Sequence, residues 1–124
     1  MPATAGVGTV LPRTIAAMTP PDAPKPPLRI ALLGLGTVGA AVCRLLVGES
    51  DGRTAGLRLV AVADRDPARL SGVEAGDADR VADGASLVER ADVDAVVELV
   101  GGIEVAGRLV RAALGSGKHV VTAN

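Results

Sequence analysis

Gly34-Leu35-Gly36-Thr37-Val38-Gly39 is the stretch that decides the fold, because it joins two apolar segments of different periodicity. The segment before it, residues 28–33, is a short apolar run that ends at glycine, which predicts a buried strand. The segment after it predicts an amphipathic helix whose apolar residues form one stripe: Val38, Ala41, Val42, Leu45 and Leu46. A strand, a tight glycine turn and a helix therefore follow one another directly.

Further strands and helices alternate along the rest of the chain. Strands are predicted at residues 57–63, 80–82, 93–100 and from Val120 onward, and helices after Pro67, at 85–90 and at 103–114. The first two strands and the helix between them form a βαβ unit, whose crossover should be right-handed and whose strands should be parallel. The alternation predicts an α/β fold, a doubly wound, mostly parallel sheet of the Rossmann type with helices on both faces.

Composition limits the classes of function. The chain of 124 residues has no Phe, Tyr or Trp and a net charge of −1, so it lacks both the stacking residues and the positive charge on which nucleic acid binding depends. No apolar stretch is long enough to span a membrane, and no secretory signal is recognisable, so we expect a cytoplasmic protein. A single cysteine, Cys43, in an apolar helical stretch predicts a small core residue and neither a disulfide nor a metal site.

Two regions are predicted along the chain. Residues 1–27 are rich in Pro and Ala and are expected to form a flexible tail, within which Met18 is an alternative start to Met1. Residues 28–124 are expected to form one dinucleotide-binding domain, which is a sufficient length for a single core.

The glycine loop has the G-x-G-x-x-G pattern of dinucleotide-binding sites, in the strand, turn and helix context that gives the pattern its mechanism. Gly34 permits the tight turn, Gly36 leaves room for a pyrophosphate near the backbone, and Gly39 allows close packing of helix and strand. The amides and dipole at the start of the helix would face the anion. All six residues of the loop are candidate ligands of the cofactor, against the alternative of a tight turn that binds nothing.

Asp64 and Arg65 follow the second predicted strand, where the adenine ribose of a dinucleotide is usually contacted. A carboxylate there can accept hydrogen bonds from the ribose hydroxyls and favours NAD. A guanidinium there can bind the 2′-phosphate of NADP in bidentate fashion. The cofactor is thus predicted to be NADP or NAD, against the alternative of a solvated loop with charges of both signs.

Glu98 and Gly101 lie where the predicted strand 93–100 approaches its carboxyl end, the end at which open α/β sheets bind ligands. Glu98 interrupts an apolar strand, so it either organises the nicotinamide or substrate side of the site or lies at an edge with its carboxylate in water. Gly101, with Gly102 beside it, either lets the backbone approach the cofactor or simply ends the strand.

The last predicted strand carries three candidate polar residues. Thr122 and Asn124 lie toward its carboxyl end, where they can reach a nicotinamide carboxamide or the substrate, against the alternative of plain strand polarity. His119 lies at the amino end of the same strand, on the side opposite the ligand crevice. A structural role is therefore expected for His119.

Three segments together resemble the amino-terminal domain of homoserine dehydrogenase: residues 31–39, residues 96–104 and residues 117–124. The most specific parts are Glu98-Leu99-Val100-Gly101-Gly102 and Val121-Thr122-Ala123-Asn124. The resemblance implies an enzyme that interconverts L-homoserine and L-aspartate 4-semialdehyde with NAD(P)H, in the route to threonine, methionine and isoleucine, commonly as a dimer.

The same resemblance implies roles for individual residues. The loop 34–39 would hold the pyrophosphate, Asp64 and Arg65 would meet the adenine ribose, and residues 122–124 would line the nicotinamide end. A lysine with a catalytic role in the family follows the Thr-Ala-Asn segment, beyond Asn124. No catalytic residue is therefore expected within the chain, which should bind the cofactor without turning over a substrate.

Two other functions are compatible with the same residues. The cofactor domain of a glucose-fructose oxidoreductase type of enzyme has a similar glycine loop and a similar Gly117-Lys118-His119-Val120 segment, although Glu-Lys-Pro usually follows it there, where this chain has Thr122-Ala123-Asn124. A module that senses NAD(H) without catalysis is the alternative from another class.

Overall fold

The computed structural model of the chain describes residues 25–48 and 52–123, and it confirms the predicted fold class. The five strands are β1 (Leu28–Leu33), β2 (Leu57–Ala63), β3 (Asp79–Val81), β4 (Ala95–Glu98) and β5 (His119–Thr122). The helices are α1 (Thr37–Val47), α2 (Pro67–Gly72) and α3 (Ile103–Gly115), with a 3₁₀ turn at Gly84–Ser86. Most of the predicted tail and Asn124 lie outside the described residues. Among the described helices, none is long and apolar enough to cross a membrane.

The sheet is parallel throughout, with the strand order β3-β2-β1-β4-β5. Side chains of β1 alternate between two cores, as the two-residue period of a strand requires. Ile30 and Leu32 pack in the cluster that includes Cys43 of α1, whereas Ala31 and Leu33 pack in the cluster that includes Ala113 of α3. The central strand is therefore covered on both faces, which accounts for its apolar sequence at residues 30–33.

The rotation of α1 about its axis differs from the predicted stripe. Val38 is 60% exposed and Leu45 is 66% exposed, so the expectation that they pack against the core was wrong. Gly39 and Cys43 are the buried residues of the helix instead. The reason is steric, because a Cβ on Gly39 would lie 1.9 Å from the carbonyl oxygen of Gly34. The helix must turn this glycine toward β1, and that requirement overrides the apolar periodicity.

Three smaller elements also differ in extent from the predictions. The helix predicted at 85–90 is only the 3₁₀ turn Gly84–Ser86, which begins where the Asp83 carboxylate accepts a hydrogen bond from the Ala85 amide at 3.0 Å. The strand predicted at 93–100 is the shorter β4, which ends at Glu98 because the Glu98 side chain accepts the amide of Val100 at 2.6 Å. The strand predicted at 80–82 is β3, one residue earlier.

Arg29 and Asp94 join β1 to the loop before β4 at the amino edge of the sheet. Oδ2 of Asp94 accepts hydrogen bonds from the Arg29 backbone amide at 2.8 Å and from its Nε at 3.0 Å. Oδ1 of Asp94 accepts a third from Nη2 at 2.9 Å. The side-chain and backbone hydrogen bonds from Arg29 lower the pKa of Asp94 to about 2. The folded chain therefore stabilises the ionised carboxylate of Asp94 relative to its protonated form.

This pair makes a prediction about stability against pH. The pKa of Asp94 is lowered on folding from 3.8 to about 2, so its stabilisation is present above about pH 4 and is lost as the pH falls toward 2. We expect Asp94→Asn to lower the free energy of unfolding at pH 7, and the difference from the wild type to shrink as the pH approaches 2. Urea titrations at a series of pH values measure this difference.

Asp77→Asn is the matched control, because Asp77 is an exposed aspartate near the same edge of the sheet. It should lower stability less than Asp94→Asn does. A difference between wild type and Asp94→Asn that is constant from pH 2 to pH 7 would contradict a role for the charge.

Candidate functional site

A cleft of about 770 Å³ opens at the carboxyl ends of β1, β2 and β4, on the side of the sheet where Rossmann folds bind ligands. The glycine loop forms its floor, and the turn after β2 and the loop before the 3₁₀ turn form one wall. The opposite wall comes from the loop after β4 and from α3. Its main lining residues are Gly34, Gly36, Asp64, Arg65, Arg69, Asp83, Leu99, Val100, Gly101, Val105, Arg108 and Leu109. The cleft thus brings together some of the residues that were predicted in the glycine loop, at the adenine ribose and at the end of the strand before Gly101.

A second cavity, of about 840 Å³, lies at the opposite, amino edge of the sheet. Its arginines and aspartates are largely paired with one another, as in Arg29 with Asp94 and Arg90 with both Asp79 and Asp92. These mutual pairs neutralise the charges that a ligand would need. We therefore assign this cavity to the structure of the sheet edge and place the functional site in the other cleft.

The fold explains two of the three glycines of the loop. Gly34 has φ of +95°, and a Cβ on it would lie 2.7 Å from the backbone carbonyl of Leu99. Gly39 is required by the contact with Gly34 described above. At Gly36, in contrast, Nη1 of Arg69, at 3.9 Å, is the one atom of the described residues within 4 Å of an added Cβ, apart from the glycine and its chain neighbours. Gly36 is therefore not needed by the packing of the described residues, and the space above its backbone opens into the cleft.

Asp64 connects the turn after β2 to the glycine loop. Its Oδ2 accepts a hydrogen bond from the Leu35 amide at 2.7 Å, and its Oδ1 accepts one from the Asp66 amide at 2.8 Å. The Asp64 side chain is only 9% exposed, so the alternative of a solvated carboxylate does not apply to it. Arg65 is exposed and lines the cleft beside it. The Asp64 carboxylate and the Arg65 guanidinium were predicted to contact the adenine ribose, and both residues line the cleft.

Arg69 is a residue of the cleft that the sequence prediction missed. Its Nη1 lies 3.9 Å from Oδ2 of Asp64, and its Nε lies 3.8 Å from Oδ2 of Asp66. Both distances exceed those of a charge-assisted hydrogen bond, so the guanidinium is held loosely beside the glycine loop. The signal was present in the sequence, since Asp66 caps a helix that begins at Pro67 and thereby places Arg69 one turn away.

Glu98 is completely buried, so the alternative of an edge carboxylate in water was wrong. Its Oε2 accepts the Val100 amide at 2.6 Å, and its Oε1 accepts the hydroxyl of Thr122 at 2.6 Å. The Glu98 carbonyl also accepts the Ala123 amide at 3.2 Å. One carboxylate therefore ties the loop after β4 to the carboxyl end of β5.

The other residues that were predicted to contact the cofactor lie at the start of α1, after β4 and at the end of β5. Thr37 and Val38 are exposed at the start of α1, Gly101 is exposed and lines the cleft, and Thr122 is exposed at the end of β5. Asn124 lies outside the described residues.

Two residues that were expected to be structural lie away from the cleft. His119 is exposed at the amino end of β5. The Sγ of Cys43 donates a hydrogen bond to the Glu74 carbonyl at 3.2 Å, and burial raises the pKa of this thiol. Neither residue is among those that line the cleft.

Comparison with known families gives one match that covers most of the chain. A family described as "Homoserine dehydrogenase, NAD binding domain" matches residues 34–124. Homoserine dehydrogenase of Corynebacterium glutamicum is 41% identical over 116 residues, which cover 87% of this chain and 25% of that protein. The chain thus spans about a quarter of the length of the curated relatives that it matches.

Solved structures support the same relationship. Homoserine dehydrogenase of Thiobacillus denitrificans superposes with a TM-score of 0.66 at 36% identity, over 79% of this chain and 23% of that one. Scyllo-inositol dehydrogenase of Lactobacillus casei, solved with NAD(H) and scyllo-inositol bound, has a TM-score of 0.64 at 26% identity, over 77% of this chain and 27% of that one. These matches confirm the prediction that the cofactor is a nicotinamide dinucleotide.

Arg69 gives a prediction that tests its place in the cleft. We expect Arg69→Gln to weaken the binding of NADH about tenfold, since one charge-assisted contact to a phosphate contributes on the order of 1.4 kcal/mol. The loss should shrink at high salt, because the contact is largely electrostatic. Isothermal titration calorimetry at low and high ionic strength measures both effects.

Arg111→Gln is the matched control, because Arg111 is also an exposed arginine but lies on α3 away from the cleft lining. It should leave the affinity unchanged. Equal affinities of Arg69→Gln and the wild type at low salt would exclude Arg69 from the binding site.

Proposed function

Because the chain belongs to the family of homoserine dehydrogenase NAD-binding domains, we propose that it is the cofactor-binding part of an enzyme that interconverts L-homoserine and L-aspartate 4-semialdehyde. The bound nicotinamide would supply a hydride that, with a proton, reduces the aldehyde to the alcohol, or would accept the hydride in reverse. The reaction would belong to threonine, methionine and isoleucine biosynthesis. We further propose that the full-length enzyme is a cytoplasmic homodimer.

The open space above Gly36 is the observation that carries the cofactor-binding part of this proposal. The fold itself would tolerate a side chain there, since the nearest atom to an added Cβ is the end of a flexible arginine. A glycine in that position is accounted for by a group that must approach the backbone from the cleft. A pyrophosphate bound by the amides at the start of a helix is the group that this loop suits.

The proposed site runs along the carboxyl ends of the strands. The loop 34–39 would hold the pyrophosphate, and Asp64 and Arg65 would contact the adenine ribose or its 2′-phosphate. Gly101, Thr122 and Asn124 would lie along the nicotinamide half, with Glu98 supporting them. Residues that protonate or orient the substrate are proposed to lie outside residues 25–123.

The likeness to scyllo-inositol dehydrogenase supports a second candidate, a dehydrogenase of sugars or polyols. Its identity to this chain is 26%, whereas the identity to homoserine dehydrogenase of Corynebacterium glutamicum is 41%. The family match also favours homoserine. Reduction of NAD(P)⁺ by the full-length enzyme with L-homoserine, and not with scyllo-inositol, is the expected result. The opposite preference would overturn the proposed substrate.

Gly36→Val tests the cofactor site within this chain. We expect the affinity for NADH and NADPH to fall by at least about tenfold, because the new side chain would occupy the space that the pyrophosphate needs. The melting temperature should change little, since the fold leaves room for the side chain. Calorimetric titration and thermal unfolding measure the two quantities.

Gly56→Val is the control, because Gly56 also has open space around its backbone but precedes β2 at the amino edge of the sheet. It should retain the affinity of the wild type. A folded wild-type chain that binds neither NADH nor NADPH would refute the proposed function.

A further inference from the structure

The hydrogen bond between Glu98 and Thr122 determines whether the Thr122 hydroxyl can donate or accept a further hydrogen bond. Oε2 of Glu98 accepts from a backbone amide, and Oε1 accepts from the Thr122 hydroxyl. The Thr122 hydroxyl donates to Oε1 at 2.6 Å, so its single proton is committed to Glu98. The Thr122 oxygen can then meet any further group only as an acceptor.

The position of this pair places it on the nicotinamide half of the proposed site. Glu98 and Thr122 are in register at the carboxyl ends of β4 and β5, whereas Asp64 lies after β2 on the other side of β1. A dinucleotide crosses the crevice of such a sheet with its two mononucleotides on opposite halves. If the Asp64 half takes the adenosine, the Glu98 half takes the nicotinamide.

We infer that Glu98 is a positioning residue that holds the Thr122 hydroxyl as an acceptor for the NH₂ group of the nicotinamide carboxamide. The carboxamide has both a donor and an acceptor, so an acceptor of fixed polarity selects one of its two orientations. This inference rests on the proposed function and adds to it a determinant of how the cofactor is oriented.

The burial of Glu98 agrees with such a role. A carboxylate that is 0% exposed in an apolar strand costs free energy, even with hydrogen bonds to both oxygens. A glutamine of the same shape would cost less, but it would reverse the polarity of the pair. Its oxygen would have to face the Val100 amide, because that amide can only donate, and its NH₂ would then face Thr122. The Thr122 hydroxyl would accept from that NH₂ and turn its proton outward.

The change of the outward-facing Thr122 hydroxyl from acceptor to donor can be measured with two cofactors that differ in one group. NADH carries the carboxamide, whereas reduced 3-acetylpyridine adenine dinucleotide carries a ketone, which accepts but cannot donate. We expect the wild type to bind NADH about tenfold more tightly than the acetyl analogue, a typical ratio for one hydrogen bond. In Glu98→Gln the ratio should fall to about one or below, because the outward hydroxyl then favours an acceptor. Calorimetry on the chain gives both affinities.

The outcomes separate the inference from the proposed function. Affinities for both cofactors that fall in parallel in Glu98→Gln would overturn the inference, because a general loss of structure moves both. A wild type that binds neither cofactor would overturn the proposed function itself.

A second pair of variants decides the matter if Glu98→Gln does not fold. Thr122→Ser keeps the hydroxyl and should keep the preference for NADH, whereas Thr122→Val keeps the shape, loses the hydroxyl and should lose the preference. Thr122 is exposed at an edge strand, so both changes are accommodated more easily than one in the core. Equal ratios in the two variants would also overturn the inference.

Discussion

The close contact between the start of α1 and the end of β1 is the constraint on which the rest of the site depends. The backbone of Gly39 packs so near the Gly34 carbonyl that no side chain fits between them. This contact sets the rotation of the helix, turns Cys43 into the core and leaves Val38 on the surface. It also places Gly36, which precedes α1, in the lining of the cleft. Free amides at the start of a helix can bind an anion without a charged side chain.

Two carboxylates extend this arrangement by accepting backbone amides from the loops beside them. Asp64 accepts the amide of Leu35 in the glycine loop, and Glu98 accepts the amide of Val100 in the loop after β4. Asp64 also accepts the Asp66 amide, and Glu98 also accepts the Thr122 hydroxyl. The ends of neighbouring strands are therefore fixed relative to one another. Buried carboxylates with satisfied oxygens give a rigid site, whereas unsatisfied ones would destabilise it.

The alternation of apolar runs and glycines, together with Pro67, was sufficient to predict the strands, the three α-helices of the described residues and the fold class, since these depend on local sequence patterns. It was not sufficient for the rotation of α1, which depends on contact between Gly34 and Gly39. Arg69 was missed because its place in the cleft follows from a short capped helix. The environment of Glu98 was undecided for a different reason, because its partner Thr122 is 24 residues away in sequence. Pairings that the chain makes over long separations are not visible in local patterns.

The two edges of the sheet carry different kinds of polar groups. Compensated ion pairs such as Arg29 with Asp94 hold the amino edge together, while the carboxyl edge holds the glycine loop and the exposed arginines of the cleft. Substitutions at one edge are far enough from the other to act independently. A descendant of this domain could therefore change its ligand preference by mutation at the carboxyl edge while the opposite edge maintains the fold. Such a separation helps to explain how one scaffold can serve dehydrogenases of a hydroxy amino acid and of a cyclic polyol.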